Sequence, residues 1–451
     1  MDGETIVALA TPPGRAGIAV IRVSGNRTRE IIKGMVKGKS FKYIPKMTQY
    51  CHFYRGDDPI DDGMLTYFKQ PFSFTGEDVA EFSIHSNPFI IDRLLNSILQ
   101  LGARQAMAGE FSYRAFQNGK MDLIQAESIN ELIQSNSRLS SRMKFSNLEG
   151  KLSELMGRIR NLLTRLGIVV ESAIEFGEDQ HMETLPIVED LHCLMNYLKT
   201  VLRGARFNEI LDKGFRVVIA GKVNVGKSSI FNDIILEDRS IVSSVPGTTR
   251  DFIDKKIYLN GFAYEITDIA GFNRNTSDSV EDEGIRRSID MVRQCHATIF
   301  VIDSSRELDE DDMQIYDLIK GKKHIIVANK ADCSDPEKWA SIQARFSGKA
   351  IHWISVKQGT NTEVIPEFLK SLTEDIQTLE ADISVNKRQK TILSSLVSVL
   401  DRVLTESTDV DHSEIVAEEI RTALNLIGEL TGEISSEEIL DGIFSTFCIG
   451  K

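Results

Sequence analysis

The chain has 451 residues, 41% of them hydrophobic and 26% charged, with a formal net charge of −13; this is too long for one ordinary core and predicts two or three domains of a soluble globular protein. No stretch is apolar enough to span a bilayer, the apolar run 6–10 is too short for a secretory signal, and the acidic excess speaks against a surface that coats nucleic acid indiscriminately. The five cysteines, at 51, 193, 295, 333 and 448, are dispersed and never form C-x-x-C, which argues against a disulfide framework or zinc site and for a reducing cytoplasm.

Residues 1 to about 115 read as mixed α/β. Strands are predicted over 16–23, 64–68 and 79–84 and a helix over 89–101, separated by turn-rich text such as Thr11-Pro12-Pro13-Gly14. His85, closing a strand-like run, reads as structural rather than catalytic. From about 120 to 211 the text turns helical. Leu148, Leu152, Leu155, Ile159, Leu162, Leu166, Val169 and Ala173 step by four and three, which predicts one long helix with an apolar seam in a bundle core. Acids at 171, 175, 178 and 179 near its end read as a solvated face.

Residues 213 to about 375 alternate short apolar runs (215–220, 264–267, 298–302, 324–328, 351–355) with helical text, the pattern of a doubly wound sheet. After about 386 helical periodicity returns, and Ser435 with Glu438 fits a capping box for a last helix. Two helical blocks flanking an α/β block predict one discontinuous helical domain with the α/β domain inserted. Charge is uneven: residues 1–50 hold nine Lys/Arg against three Asp/Glu, and residues 401–451 hold three against twelve.

The inserted block carries the chemistry. Gly221-Lys222-Val223-Asn224-Val225-Gly226-Lys227-Ser228-Ser229 follows a strand and opens a helix. In that setting backbone N–H groups cradle a polyphosphate, Lys227 neutralises its outer phosphates, and Ser228 offers a hydroxyl to Mg²⁺. Three further motifs follow in the order a GTPase requires. Gly247-Thr248-Thr249-Arg250 supplies a switch threonine. Asp268-Ile269-Ala270-Gly271 reaches the metal and the γ-phosphate. Asn329-Lys330-Ala331-Asp332 selects guanine, because a carboxylate accepts from both N1–H and the exocyclic amine. Ser355-Val356-Lys357 closes the base pocket.

The residues after Gly271 are Phe272-Asn273, so the Gln that orients water in many small GTPases is missing. Arg250 or Arg274 as an arginine finger, Glu281 as a water-orienting acid, and a monovalent cation beside Asn224 all remain open from the residues alone.

With these motifs in hand, the chain resembles the bacterial tRNA-modification GTPase MnmE (TrmE) family along nearly its whole length. The resemblance is carried by Thr11-Pro12-Pro13-Gly14-Arg15, Phe74-Thr75-Gly76-Glu77-Asp78, Gly109-Glu110-Phe111, Lys120-Met121-Asp122-Leu123, Gly247-Thr248-Thr249-Arg250-Asp251 and Phe447-Cys448-Ile449-Gly450-Lys451. It implies a multidomain α+β and α/β fold. Residues 1–118 would be a tetrahydrofolate-binding, dimerising domain. Residues 119–212 and 379–451 would form the helical domain, and 213–378 an inserted P-loop GTPase domain. It further implies a cytoplasmic homodimer that works with an FAD-dependent partner subunit, as a heterotetramer, on the wobble uridine of certain tRNAs.

Site residues follow from the same resemblance. Arg22, Glu81, Lys120 and Lys451 fall at positions for a reduced folate (methylene- or formyl-tetrahydrofolate). Asn224, Ser243, Val245 and Thr248 fall at K⁺ positions, and Ser228 and Thr249 at Mg²⁺ positions. The loop Ser243, Ser244, Val245, Pro246, Gly247, Thr248 and Thr249 would line the GTP with Ile269, Ala270 and Gly271. Glu281 falls at the water-orienting acid, which favours it over the arginines, and Cys448 at a position proposed for chemistry. Ile269, Phe272-Asn273, Asn87 and Val356 depart from the family text. The competing class is a ribosome-assembly GTPase that binds RNA without modifying it; the acidic C-terminal helical block argues against that.

Overall fold

The computed structural model describes residues 3–37, 41–176, 185–237, 253–268, 290–333, 335–346, 348–374, 382–406 and 413–450. The chain forms two compact units. One comprises Met1–Ile133, Lys144–Leu202 and Lys387–Lys451; the other comprises Gln134–Met143 and Arg203–Asn386.

The first unit opens with a six-stranded sheet in the order β3-β4-β5-β2-β1-β6. Its strands are β1 (Ile6–Leu9), β2 (Ala16–Ser24), β3 (Thr48–Arg55), β4 (Asp58–Phe68), β5 (Val79–Ser86) and β6 (Arg104–Gln105). All neighbours are antiparallel except β1 and β6. Strand periodicity sorts the side chains of β2. Ala19, Ile21 and Val23 face a core shared with Leu65, Phe82 and the helices Thr28–Met35 and Pro88–Gln100. Arg22 therefore emerges on the opposite face. Asn87 caps the second helix, its side chain accepting from the Phe89 N–H at 2.9 Å, a position that favours a short side chain with an acceptor oxygen. His85 is exposed and its Nδ1 sits 2.9 Å from Asp61. That partner raises its pKa.

Helices complete this unit. Lys387–Glu406 packs on Ser413–Thr431, which packs on Lys151–Phe176. Along Lys151–Phe176 the buried residues are Leu152, Leu155, Met156, Ile159, Leu163, Leu166 and Val170. The seam thus runs through Leu163 and Val170 rather than the predicted Leu162 and Val169, which are only half buried. A bundle helix buries a stripe wider than one heptad line, and two adjacent leucines leave the choice to packing. The last helix is capped by Ser436, not Ser435. Ser436 has extended backbone and its hydroxyl accepts from the Ile439 N–H, while Ser435 turns back to the Gly432 carbonyl.

Buried charge ties the early helix Leu123–Gln134 to the returning chain. Glu127 is 7% exposed and accepts from Arg388 at 2.8 and 2.9 Å and from the Gln389 amide at 2.6 Å.

The second unit holds the sheet β12-β11-β10-β7-β9-β8. Its strands are β7 (Phe215–Ala220), β8 (Ile253–Leu259), β9 (Phe262–Asp268), β10 (Ala297–Asp303), β11 (Lys323–Asn329) and β12 (Ile351–Trp353). All pairs are parallel except β8 with β9. Central β10 is buried at every position, as a continuous apolar run in a doubly wound sheet requires.

Among the described residues no helix is long and apolar enough to cross a membrane. The Glu127→Ala variant is expected to lose about 3 kcal/mol, because it strands the Arg388 guanidinium in a largely buried site. Urea unfolding followed by far-UV circular dichroism measures this as a lower midpoint.

Candidate functional site

A cavity of about 740 Å³ opens where the strands of the second sheet end. Asn224, Gly226, Lys227, Ser228, Asn329, Lys330, Asp332, Ser355, Val356 and Lys357 line it, joined by Ser229 and Cys333. Three of the predicted nucleotide motifs, the phosphate loop, Asn329-Lys330-Ala331-Asp332 and Ser355-Val356-Lys357, therefore contribute residues to one crevice at the carboxyl ends of parallel strands. Ser243, Ser244, Val245, Pro246, Gly247, Thr248, Thr249, Ile269, Ala270, Gly271 and Glu281 lie outside the described residues, as does Lys451.

The phosphate end is built by the turn between β7 and the helix Lys227–Glu237. Gly226 has φ +100°, and a Cβ there would lie 2.2 Å from the Asn329 amide nitrogen. Glycine is required both for the conformation and for that approach. Val225 is buried beneath the loop. Asn224 is exposed with φ +62°, and among the described residues its side-chain amide has no hydrogen-bond partner.

Lys227 is 7% exposed, and its ammonium donates to the Lys222 carbonyl at 2.9 Å. Burial lowers its pKa, with Asp268 opposing in part. A buried ammonium of this kind calls for an anion, and the loop's N–H groups at a helix N-terminus supply the rest of a phosphate site. Lys222 is drawn elsewhere, onto Asp309 and Asp311.

The metal position is legible beside it. The Ser228 hydroxyl donates to Asp268 Oδ2 at 2.6 Å, while Asp268 Oδ1 is buried with no hydrogen-bond partner among the described residues. An orphaned carboxylate oxygen next to a hydroxyl fits a hard divalent cation. Among the described residues no three His, Cys, Asp or Glu side chains gather into a metal cage. Mg²⁺ here would lean on substrate phosphates and water, as it does in nucleotide enzymes.

The base end is organised by Asn329, which is 4% exposed. Its amide donates to the Val225 carbonyl at 3.0 Å and accepts from the Val356 N–H at 3.3 Å. Ser304 donates twice to its carbonyl, from N at 2.9 Å and from Oγ at 2.7 Å. Lys330, at φ +64°, reaches back to the Asn224 carbonyl at 2.8 Å and to Asp303 at 2.6 Å. Asp303 was not expected from sequence. Its signal was an acid ending an apolar strand beside β11. Burial pushes its carboxyl up, but the bonds from Lys330 and Ser305 outweigh this and hold it below the ordinary range.

Asp332 accepts from the Ser355 hydroxyl at 2.7 Å and lies 3.4 Å from the Cys333 thiol. The Ser355 bond leads the causes that lower its pKa. The carboxylate thus stays charged, able to accept from guanine as the sequence expects.

The predicted folate residues lie in the first unit. Arg22 faces Glu81 across paired β2 and β5. Its Nε donates to Glu81 at 2.9 Å and its other nitrogen lies 2.8 Å away. The same guanidinium donates to the Gly450 carbonyl at 3.3 Å and stands 5.7 Å from the Phe74 and Phe111 ring centres. Lys120 is exposed and donates to the Pro71 carbonyl at 2.9 Å. Cys448 is exposed, and its carbonyl accepts from the Gly109 N–H at 3.4 Å.

Acid should distinguish the Asp332–Ser355 pair. A lowered pKa keeps the carboxylate charged until the pH falls through that depressed value. Ser355→Ala removes the first cause of the depression, so the loss of GDP binding on acidification is expected to begin at higher pH than in the wild type. Fluorescent-GDP titrations carried down through and below the ordinary carboxylate range read this directly; coincident profiles would count against the assignment.

Comparison with known proteins places the whole chain. A family model for the MnmE helical domain matches residues 123–448, and one for the GTP-binding protein TrmE N-terminus matches residues 5–120. The chain is 38% identical over 455 residues to the tRNA modification GTPase MnmE of Aquifex aeolicus (strain VF5), covering 99% of this chain and 100% of that protein. It is 35% identical over 453 residues to the protein of the same name from Thermotoga maritima, with 99% and 100% covered. The corresponding protein of Nitrosococcus oceani is 37% identical over 457 residues, with 99% and 97% covered. With full-length identity at this level, and with both family models matched, the chain belongs to the MnmE (TrmE) family of tRNA-modification GTPases.

Proposed function

We propose that this GTPase of tRNA modification is stimulated by potassium. With an FAD-dependent partner, it would install the (carboxymethyl)aminomethyl group on C5 of the wobble uridine of certain tRNAs. The observation that carries the GTPase is the meeting of Lys227, Ser228, Asp268, Asn329 and Asp332 around one crevice. The family assignment over the full chain carries the tRNA.

Each described residue has a task in hydrolysis. Asp332 holds guanine and Lys330 flanks its plane. Lys227 and the N–H groups after Gly226 hold the phosphates against the low-dielectric wall of β7. Ser228, Asp268 and Thr249 would hold Mg²⁺, which neutralises phosphate charge when bound. Asn224, Ser243, Val245 and Thr248 would hold K⁺; the unengaged, exposed amide of Asn224 suits that assignment. Glu281 would orient the attacking water, in place of the missing Gln.

In the first unit we assign reduced-folate binding to Arg22, Glu81, Lys120 and Lys451. The half-buried Arg22–Glu81 pair beside Phe74 suits a flat, hydrogen-bonding pterin, and the cations suit carboxylates. Cys448, exposed on the same strand-like tail as Gly450, is the candidate for chemistry at that face. The protein would act as a cytoplasmic homodimer within a heterotetramer.

Mass analysis of tRNA nucleosides tests the function. Deletion of the gene should abolish the modified wobble uridine and re-expression restore it; unchanged nucleosides would overturn the reading. Hydrolysis should run faster in K⁺ than in Na⁺. The Asn224→Ala variant should bind GTP yet turn it over at the sodium rate in either salt, while Glu281→Ala should lose roughly 100-fold. Equal wild-type rates in the two salts would remove the cation role.

A further inference from the structure

The parallel sheet of the second unit has a second end. The nucleotide residues gather where β7, β9 and β11 finish. Where β11 and β12 begin lies another cavity, of about 520 Å³, lined by Lys320, Lys322, Lys323, Lys349, His324 and His352 among others. The seven residues of β11 separate the two ends, a span of about 20 Å at strand rise.

Four lysines in one groove contrast with a chain of net charge −13. Lys320 pairs with Asp317 at 2.8 Å, and Glu367 is the one acid in the lining. Lys322 donates to the Cys295 carbonyl at 2.9 Å and to the Arg293 carbonyl. Lys323 donates to the Ser371 carbonyl at 3.0 Å. These carbonyls accept from the ammonium groups without neutralising them, and among the described residues neither Lys322 nor Lys323 makes an ion pair. Among the described residues Lys349 makes no ion pair. His324 Nδ1 lies 2.7 Å from the Lys322 carbonyl, which keeps that ring within the cationic wall.

We propose that this groove binds the phosphodiester backbone of RNA, and that in this protein the RNA is the tRNA; the second clause rests on the function proposed above. An acidic chain repels a polyanion at long range, so contact requires a local concentration of cations. The groove supplies it away from the nucleotide, so RNA and GTP need not compete. An acidic peptide is the poorer occupant. It would gain most by extending the sheet, and β12, the edge strand, is only three residues long.

The test uses the full-length chain, a labelled unmodified tRNA transcript and fluorescence anisotropy at 50–200 mM KCl. The Lys323→Glu, Lys349→Glu double variant should hydrolyse GTP normally, which also certifies its fold. Its tRNA affinity should fall roughly 20-fold or more at 0.1 M salt. The slope of log affinity against log salt should shrink by about 1.4 to 1.8, as loss of two phosphate contacts requires. Unchanged affinity and slope overturn the proposal, as does displacement of the tRNA by polyglutamate at matched charge. Nucleoside analysis of tRNA from cells with and without the gene separates the two levels: gene-dependent modification with an unaffected variant defeats the groove alone, whereas nucleosides unchanged by deletion defeat the function.

Discussion

One buried amide holds the nucleotide site in register. Asn329 sits at the end of β11 and fixes the phosphate loop through Val225 and the base loop through Val356, while Ser304 locks its own carbonyl. An amide carries both a donor and an acceptor on one planar group, so a single side chain can bind two loops of different sequence origin. Its burial makes those bonds costly to leave unmade. Gly226 must lack a side chain because this amide occupies the space. Lys330, next in sequence, then reaches both Asn224 and Asp303 from a left-handed backbone. The two ends of the crevice are thus set by the same two residues.

The first unit uses a different device. One face of its sheet is a pleated surface on which Arg22 and Glu81 stand opposite each other, with a segment from far along the chain laid across. Ile449 bridges to Ala108, and Gly450 approaches the Leu9 carbonyl so closely that a Cβ would stand 2.3 Å from it. Buried ion pairs elsewhere in the unit, such as Glu110 with Arg104 and Arg114, stiffen the frame under this face. The charged groups are held by one another, which keeps them directional without a ligand.

Much of the nucleotide site was legible because its chemistry is local in sequence. Phosphate cradling, metal ligation and base selection each need a few residues at fixed spacing after a strand, and five parallel strands announced themselves as apolar runs. Asp303 escaped because its task is to hold Lys330, a relation made only by the pairing of β10 with β11. In the first unit β1, β3 and β6 were not anticipated. β1 is a four-residue run, β6 has two residues, and β3 buries only Cys51 and Phe53, too sparse for an alternation signal. β8 was missed in the same way, its Lys255-Lys256 pair interrupting the apolar text. The shifted seam of Lys151–Phe176 has another cause: periodicity identifies a face, and the partner helix chooses which of two neighbouring leucines to cover. The pairing of Arg22 with Gly450 spans 428 residues, and no local pattern encodes such a contact.

That separation has a consequence for how the molecule is made. Synthesis runs from the amino end, so the sheet bearing Arg22 and Glu81 emerges and can fold long before Gly450 exists. For most of translation Arg22 has its carboxylate partner but not the carbonyl above it, and the face stays uncovered. Closure waits on a 428-residue excursion, during which the residues of the second unit are synthesised. The loop-closure entropy of so long a detour grows only slowly with length. The delay therefore bears on timing far more than on stability: the face bearing Arg22 and Glu81 is completed only when the last residues of the chain arrive.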